Sequence, residues 1–123
     1  MRFKLAASYR YWWPVIVRLP DPENPGQFVE QEFKLELEPL SRDEALASQE
    51  ALVRLRTDRE VIDHEIDQTL RVVRNWDGVV DEQGTVPFSE DAMRQALQHS
   101  WFRNAVARAI ADSLNGEAAR LGN

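Results

Sequence analysis

Four side chains in one predicted helix have the types and the spacing of a divalent-cation site. Carboxylates and imidazoles are metal ligands, and residues three or four apart lie on the same side of a helix. The four residues are Glu60, Asp63, His64 and Asp67. They match no paired-histidine metal motif. Because long charged side chains are mostly solvent-exposed, we favour the simpler interpretation of a solvated helix face.

A second acidic group lies around a predicted turn, where two carboxylates could form the acid–base pair of a hydrolase or bind calcium. It consists of Asp77, Asp81 and Glu82. A calcium loop needs oxygen ligands at alternate positions and a closing glutamate, and this spacing does not supply them. Turn formation and helix capping explain Asp77 and Asp81 without any chemistry.

Other signatures of catalysis are missing from the sequence. It has no cysteine, its two histidines (His64 and His99) are far apart, and its five glycines are scattered. A phosphate-binding glycine loop and a Gly-x-Ser-x-Gly nucleophile elbow are both absent. We therefore expect a protein that is not an enzyme and that uses no metal or other cofactor.

Composition predicts one domain that stays in solution. A chain of 123 residues can bury a core without disulfides, and the absence of cysteine fits a reducing compartment. No stretch approaches the roughly 18 apolar residues of a membrane span, so we expect a cytoplasmic protein without membrane contact. The net charge of −6 argues against a general nucleic-acid binder, which would carry basic clusters.

The first third of the chain predicts an antiparallel hairpin or small sheet over residues 2–38. Residues 9–19 are rich in aromatic and β-branched types, and residues 28–38 alternate apolar and charged side chains. Pro14 cannot donate to a strand partner and indicates an edge or a bulge. The alternation at residues 3–5 is compatible with a short third strand.

The remaining chain predicts three to four helices, and the whole an α+β fold in a single domain, residues 1–123. Capping boxes at Ser41 and Thr57 predict helix starts, so residues 41–77 form a helical segment that we expect to restart at Thr57. One continuous helix is the alternative. The spacing of Leu70, Val73 and Trp76 extends that segment to a cap at Gly78.

The C-terminal third predicts an ordered turn and then two helices. Residues 78–89 contain a turn sequence between small apolar pieces, and Ser89 is a strong N-cap. Two helices should occupy residues 90–116, and residues 117–123 should form a mobile tail.

Aromatic side chains are the most unusual feature of the composition. Neighbouring residues of a strand point to opposite faces, so Trp12 and Trp13 cannot enter the same core layer. One of them should be exposed or covered by another chain, and exposed tryptophan is a frequent interface anchor. The alternative is that the N-terminal segment or a helix covers the second face. Trp76 and Trp101 follow apolar helical stripes and should be core residues.

Several motifs, in order along most of the chain, resemble those of the tail assembly chaperones of tailed bacteriophages and prophages. The most specific is a Trp-Asp-Gly-Val turn (76–79) that runs into Pro-Phe-Ser (87–89). Tyr-Trp-Trp-Pro-Val (11–15), the proline-rich stretch 20–26 and a small-residue helix near the C-terminus add to it. Residues 41–73 carry only a generic helical pattern.

The resemblance implies a small protein of the bacterial host cytoplasm that binds the long helical tape measure protein. It would keep this client soluble until tail tube subunits polymerise around it, and in many such phages a frameshifted, longer form recruits the tube protein. Many copies along one client favour self-association, for which the basic N-terminal strand and the acidic hairpin are complementary. The expected client or self contacts are Tyr11, Trp12, Trp13, Phe28, Phe88 and Trp101.

Three other classes of function compete with this one. The runner-up is a structural phage protein, such as a tail completion or connector subunit, which would be found in purified particles. An inhibitor that mimics nucleic acid would carry one continuous acidic track, whereas 15 basic residues are mixed among the 21 acidic ones here. A metal-dependent hydrolase would lose activity, but not its fold, on changing Asp77 or Asp81.

Overall fold

A β-hairpin and a third antiparallel strand from a later part of the sequence form the scaffold of the protein. The computed structural model describes residues 1–119 and places the strands in the order β1-β2-β3. They are β1 (Tyr11–Pro20), β2 (Phe28–Leu37) and β3 (Val73–Asp77). This sheet followed by helices confirms the predicted α+β fold class.

Four helices and a miniature hairpin complete the described structure. The helices are α1 (Arg42–Val53), α2 (Asp58–Val72), α3 (Glu90–Ala96) and α4 (Ser100–Leu114). The hairpin consists of β4 (Val80–Asp81) and β5 (Gly84–Thr85). Residues 117–119 belong to no helix, and residues 120–123 of the expected mobile tail lie outside the described residues.

The helices cover one face of the sheet, which we call the inner face. Val15 and Val17 of β1 and alternate residues of β2 point into it and are buried. Their apolar surface is covered by α4, whose Phe102 stacks on Phe33 with ring centroids 5.3 Å apart. One core results, made of Val15, Val17, Phe33, Leu35, Leu37, Ile66, Leu70, Val73, Trp76, Met93, Leu97, Val106 and Ala109.

Side-chain caps begin α1 and α2 where the sequence predicted them. The Ser41 hydroxyl accepts from the Glu44 amide at 3.2 Å, and the Glu44 carboxylate accepts from the Ser41 amide at 3.1 Å. The Thr57 hydroxyl accepts from the Glu60 amide at 3.1 Å. Residues 41–77 therefore do contain a break, and the prediction of a restart at Thr57 is confirmed.

The predicted end of the helical segment is wrong. Residues 73–77 form β3 rather than the last turns of a helix. Val73 pairs with Leu37, whereas Asn75 pairs with the adjacent Glu36, so Arg74 is an extra, bulged residue. Because the bulge shifts the alternation by one, Val73 and Trp76 both reach the inner face. A spacing of three, which looked helical, is therefore produced by a bulged strand.

Gly78 ends this strand and not a helix. Its φ of 89° lies in the left-handed region, which side chains disfavour, and it turns the chain from β3 toward β4. The turn that follows is tight. The Asp81 carboxylate accepts from the Gln83 amide at 2.8 Å, and the Val86 amide donates to the Val79 carbonyl at 2.9 Å.

β1 is one of the two edge strands of the sheet, as the position of Pro14 predicted. Pro14 lies opposite Lys34, and β1 pairs with β2 alone. The expected third strand at residues 3–5 is not formed, because residues 1–10 lie outside the sheet and all are exposed. The third position in the sheet belongs to β3 instead.

No helix within residues 1–119 combines the length and the apolar character needed to cross a bilayer.

Candidate functional site: a groove in the helical layer

The β1 aromatics divide between the two faces of the sheet. Trp12 lies on the face opposite the helices, which we call the outer face, and 44% of its surface is exposed. Trp13 is half-buried against the core. The opposite orientation of the two tryptophans was predicted from the strand pattern. The alternative of a covered second face is wrong, because neither the N-terminal segment nor a helix covers Trp12.

Tyr11 and Trp13 hold α4 on the sheet. The rings of Tyr9, Tyr11 and Trp13 follow one another, with centroids 5.8 and 6.2 Å apart. The Tyr11 hydroxyl is hydrogen-bonded to the Ser113 hydroxyl of α4 at 2.8 Å. These contacts give Tyr11 and Trp13 a structural role at the free edge of β1.

Phe28 and Trp101 are exposed but lie apart. Phe28 begins β2 on the outer face, and the Arg18 guanidinium lies 4.8 Å from the centre of its ring. Trp101 stacks on His99 at 5.1 Å, at the start of α4. The expectation that Trp101 is a core residue is wrong, whereas Trp76 is buried as predicted.

Phe88 fixes the turn that follows β3. Its ring meets the Trp76 ring edge-on, with centroids 5.3 Å apart. The Trp76 indole N–H donates to the Val86 carbonyl at 2.8 Å. Phe88 is half-buried in this contact and therefore belongs to the packing of the fold.

The six predicted contact residues thus do not converge on one surface. Only Trp12 and Phe28 share the outer face, and they lie at opposite ends of the hairpin. At a rise of 3.3 Å per residue, the eight positions from Trp12 to the partner of Phe28 span about 26 Å.

An apolar groove of about 720 Å³ lies in the helical layer, where the sequence did not predict a site. Its floor is formed by the buried side chains of Ile66, Leu97 and Val106. Its walls are Leu52 of α1, Ile62 of α2 and residues of α4. Leu52 and Ile62 are exposed although both are apolar, so the groove is an uncovered continuation of the core.

The wall made by α1 is weakly attached. None of the described side chains of α1 is buried. A hydrogen bond of 3.0 Å joins Ser48 of α1 to the His64 ring of α2. A helix without buried apolar residues has little packing energy to lose when it moves, so the width of the groove is adjustable.

Polar groups surround the apolar surface. Arg103 lines the groove and donates to the Leu97 carbonyl at 2.9 Å, which closes the end of α3. The Gln68 side-chain oxygen is buried at the base of the groove and has no hydrogen-bond partner among residues 1–119. A buried acceptor without a donor is costly, so Gln68 weakens the packing beneath the groove.

The acidic groups that suggested chemistry have structural partners. Asp67 accepts from Arg94 at 2.8 Å, and this hydrogen bond is the main reason that the pKa of Arg94 is raised. Asp81 shapes the hairpin turn. Within the described part of the chain, no three potential ligands lie close enough to hold a metal ion.

One feature of the sequence does indicate the groove, namely an apolar stripe on α2 that is longer than the core requires. Ile62, Ile66 and Leu70 form one apolar stripe on α2, but only Ile66 and Leu70 are buried. The stripe therefore continues beyond the core by one turn. The other lining residues come from α1, α3 and α4, and sequence alone does not bring these elements together.

Comparison with protein-family models, with curated proteins and with solved structures finds no match to this chain. The fold and the groove therefore define the class, an α+β protein whose helical layer carries an open apolar groove.

Proposed function

We propose that this protein is a non-catalytic chaperone that binds amphipathic helical segments of another protein. The observation that carries the proposal is the apolar groove between α1, α2 and α4. The resemblance to tail assembly chaperones supplies the identity of the client, the tape measure protein of a tailed phage or prophage. The complex would form in the host cytoplasm during tail morphogenesis, before tail tube protein assembles around the client.

The apolar lining of the groove suits the apolar face of a helix. Packed helices lie about 8–10 Å apart, so a client helix would rest in the trough between two helices of this layer. Its apolar residues, repeating at spacings of three and four, would contact Leu52, Ile62 and Val106. The glutamines at the rim, Gln49 and Gln98, accept or donate hydrogen bonds without imposing a charge.

The weak attachment of α1 supports a chaperone over a specific receptor. A long client presents many helical segments of different shape, and a rigid groove would fit few of them. Movement of α1 costs little because its side chains are not buried. The net charge of −6 would keep the complex soluble although the client is apolar.

The experiment is co-expression with the tape measure protein of the same gene cluster, followed by pull-down and size-exclusion chromatography with light scattering. The wild type should hold the client in a soluble complex. Ile62→Glu should reduce the co-purified client at least about tenfold, because it places a charge in the apolar wall.

Leu46→Glu is the matched control. Leu46 is 45% exposed and Ile62 is 52% exposed, but Leu46 does not line the groove. Its variant should bind like the wild type, and both should keep the wild-type circular dichroism. Equal binding by the two variants would refute the groove. An insoluble client, together with this protein in purified particles, would favour the tail completion or connector subunit instead.

A further inference from the structure

Residues 1–5 form an exposed segment that does not line the groove, and we call them the N-terminal arm. Met1, Phe3 and Leu5 are all largely exposed. Arg2 and Lys4 alternate with them, and the arm contains no acidic residue. Alternating apolar and basic side chains are typical of a strand that has one apolar and one basic side.

The outer face of the sheet carries the complementary pattern in two parallel rows. The first row, on β1, is apolar and contains Trp12, Pro14 and Ile16. The second row lies beside it on β2 and is mainly acidic, with Glu30, Glu32, Lys34 and Glu36. Among residues 1–119, no ion pair or side-chain hydrogen bond engages these three glutamates.

The net charge of this face has the sign that the arm needs. Four carboxylates point to it, namely three from β2 and Asp77 from β3, against two cations, Arg18 and Lys34. At the end of the sheet Glu38 pairs with both Arg10 and Arg74, which adds one positive charge, so the net charge is −1. The arm carries two basic side chains.

A small cavity indicates where an apolar side chain of the arm would enter. It has a volume of about 190 Å³ and lies at the free edge of β1. Ile16 and Arg18 of β1, Glu30 of β2 and Ala105 of α4 contribute to its lining. Arg108 and Asp112 of α4 also line it, so apolar side chains lie there beside charged groups of both signs.

We propose that the N-terminal arm of one copy binds along the outer face of a second copy. An extended arm places Phe3 and Leu5 about 6.6 Å apart, which is also the repeat of Trp12, Pro14 and Ile16 along β1. With its apolar side toward that row, the arm directs Arg2 and Lys4 to the row of glutamates.

The arm of the same chain leaves the sheet in another direction. Arg10 is held by Glu38 at 3.1 Å, and the Tyr9 ring lies against the Tyr11 ring, tilted by 39°, on the helical side of β1. Residues 6–9 then line a cavity together with residues 38–41 at the start of α1. The arm therefore departs on the side of the helices, away from its own outer face.

Because the arm and the outer face are different surfaces, the contact is of the head-to-tail kind. Each copy then offers a free arm at one end and a free face at the other, so the contact repeats. The groove lies in the helical layer and takes no part in it.

Two double variants that reverse charge, one in the arm and one on the outer face, test this contact. Sedimentation velocity of the wild type should show association that rises with concentration and falls with salt. Arg2→Glu combined with Lys4→Glu should weaken self-association at least about tenfold, and Glu30→Lys combined with Glu32→Lys should do the same. An equimolar mixture of the two double variants should associate again, because the acidic arm of one meets the basic face of the other.

Arg54→Glu combined with Arg56→Glu is the control. It changes the net charge as the arm variant does, at exposed positions between α1 and α2, and should associate like the wild type. A monomeric wild type overturns the proposal, and so does a mixture that fails to associate, since an arm bound to its own face gives that result. Ile62→Glu should self-associate like the wild type, because the groove takes no part in this contact, and this separates the test from that of the groove.

Discussion

Replacing Trp76 by phenylalanine is expected to destabilise the fold by about 2–4 kcal/mol. Trp76 is 6% exposed and its indole N–H donates to the Val86 carbonyl at 2.8 Å. Phenylalanine keeps a ring against Phe88 but cannot donate. The Val86 carbonyl is then left without this donor, which costs about 1–3 kcal/mol when the acceptor is buried. The smaller ring also leaves a gap that contributes about 1 kcal/mol.

Trp101→Phe is the matched control for this substitution. Trp101 is 41% exposed, and no hydrogen bond of its indole is found among the described residues. The same chemical change should therefore cost less than about 1 kcal/mol there, as is usual for surface substitutions. The difference between the two losses in the free energy of unfolding measures what the buried, hydrogen-bonded surroundings of Trp76 contribute.

Urea denaturation followed by circular dichroism measures both variants. With a slope of about 2 kcal/mol/M for a small domain, a loss of about 2–4 kcal/mol lowers the midpoint by about 1–2 M at unchanged slope. A midpoint shift for Trp76→Phe no larger than that of Trp101→Phe would refute the reasoning, because it would mean that the indole does not fasten the turn to the core.

Two further outcomes are expected. Trp12→Ala and Trp13→Ala should both keep the helical circular dichroism, but Trp13→Ala should lower the urea midpoint more, since Trp13 packs on the core; equal midpoints would contradict the assignment of faces. In an NMR titration, the pKa of Glu44 should lie below its ordinary value of 4.5, chiefly because its carboxylate accepts from the Ser41 amide. Its stabilising contribution is therefore present above pH 4.5 and is lost as the pH falls through the lower, folded-state pKa; an unchanged pKa in Ser41→Ala would exclude the part contributed by the hydroxyl.

The hairpin and the helix starts were predictable because their causes are local. Strict alternation of apolar and charged residues over residues 33–38 indicates one solvent-exposed and one buried face. Phe33, Leu35 and Leu37 are buried as this pattern requires. Ser41 and Thr57 fix helix starts within three residues of themselves. Such features need no knowledge of the rest of the chain.

The third strand was not predictable in the same way. Leu70, Val73 and Trp76 repeat at intervals of three, first on a helix and then across a bulge. The spacing is the same on both sides of the boundary between α2 and β3, so periodicity does not locate that boundary. What decides it is pairing with β2, which lies more than 35 positions earlier in the sequence.

The candidate site was missed for a related reason. Clustered aromatic residues are easily noticed in a sequence and suggest a contact surface. In this fold, however, Tyr11, Trp13 and Phe88 pack against other parts of the same chain. The groove is made of ordinary residues, such as Leu52 and Ile62, and its significance depends on which helices are neighbours. Trp12 and Phe28 are the predicted contact residues that remain exposed on the sheet.

The two proposed contacts can be made at the same time because they lie on opposite sides of the sheet. The groove lies between helices that cover the inner face, and the acidic and apolar rows lie on the outer face. A client helix in the groove would therefore leave the outer face free for the arm of the next copy. Self-association then multiplies client contacts along one chain, and each contact can be weak because neighbouring copies raise the effective concentration of the next groove.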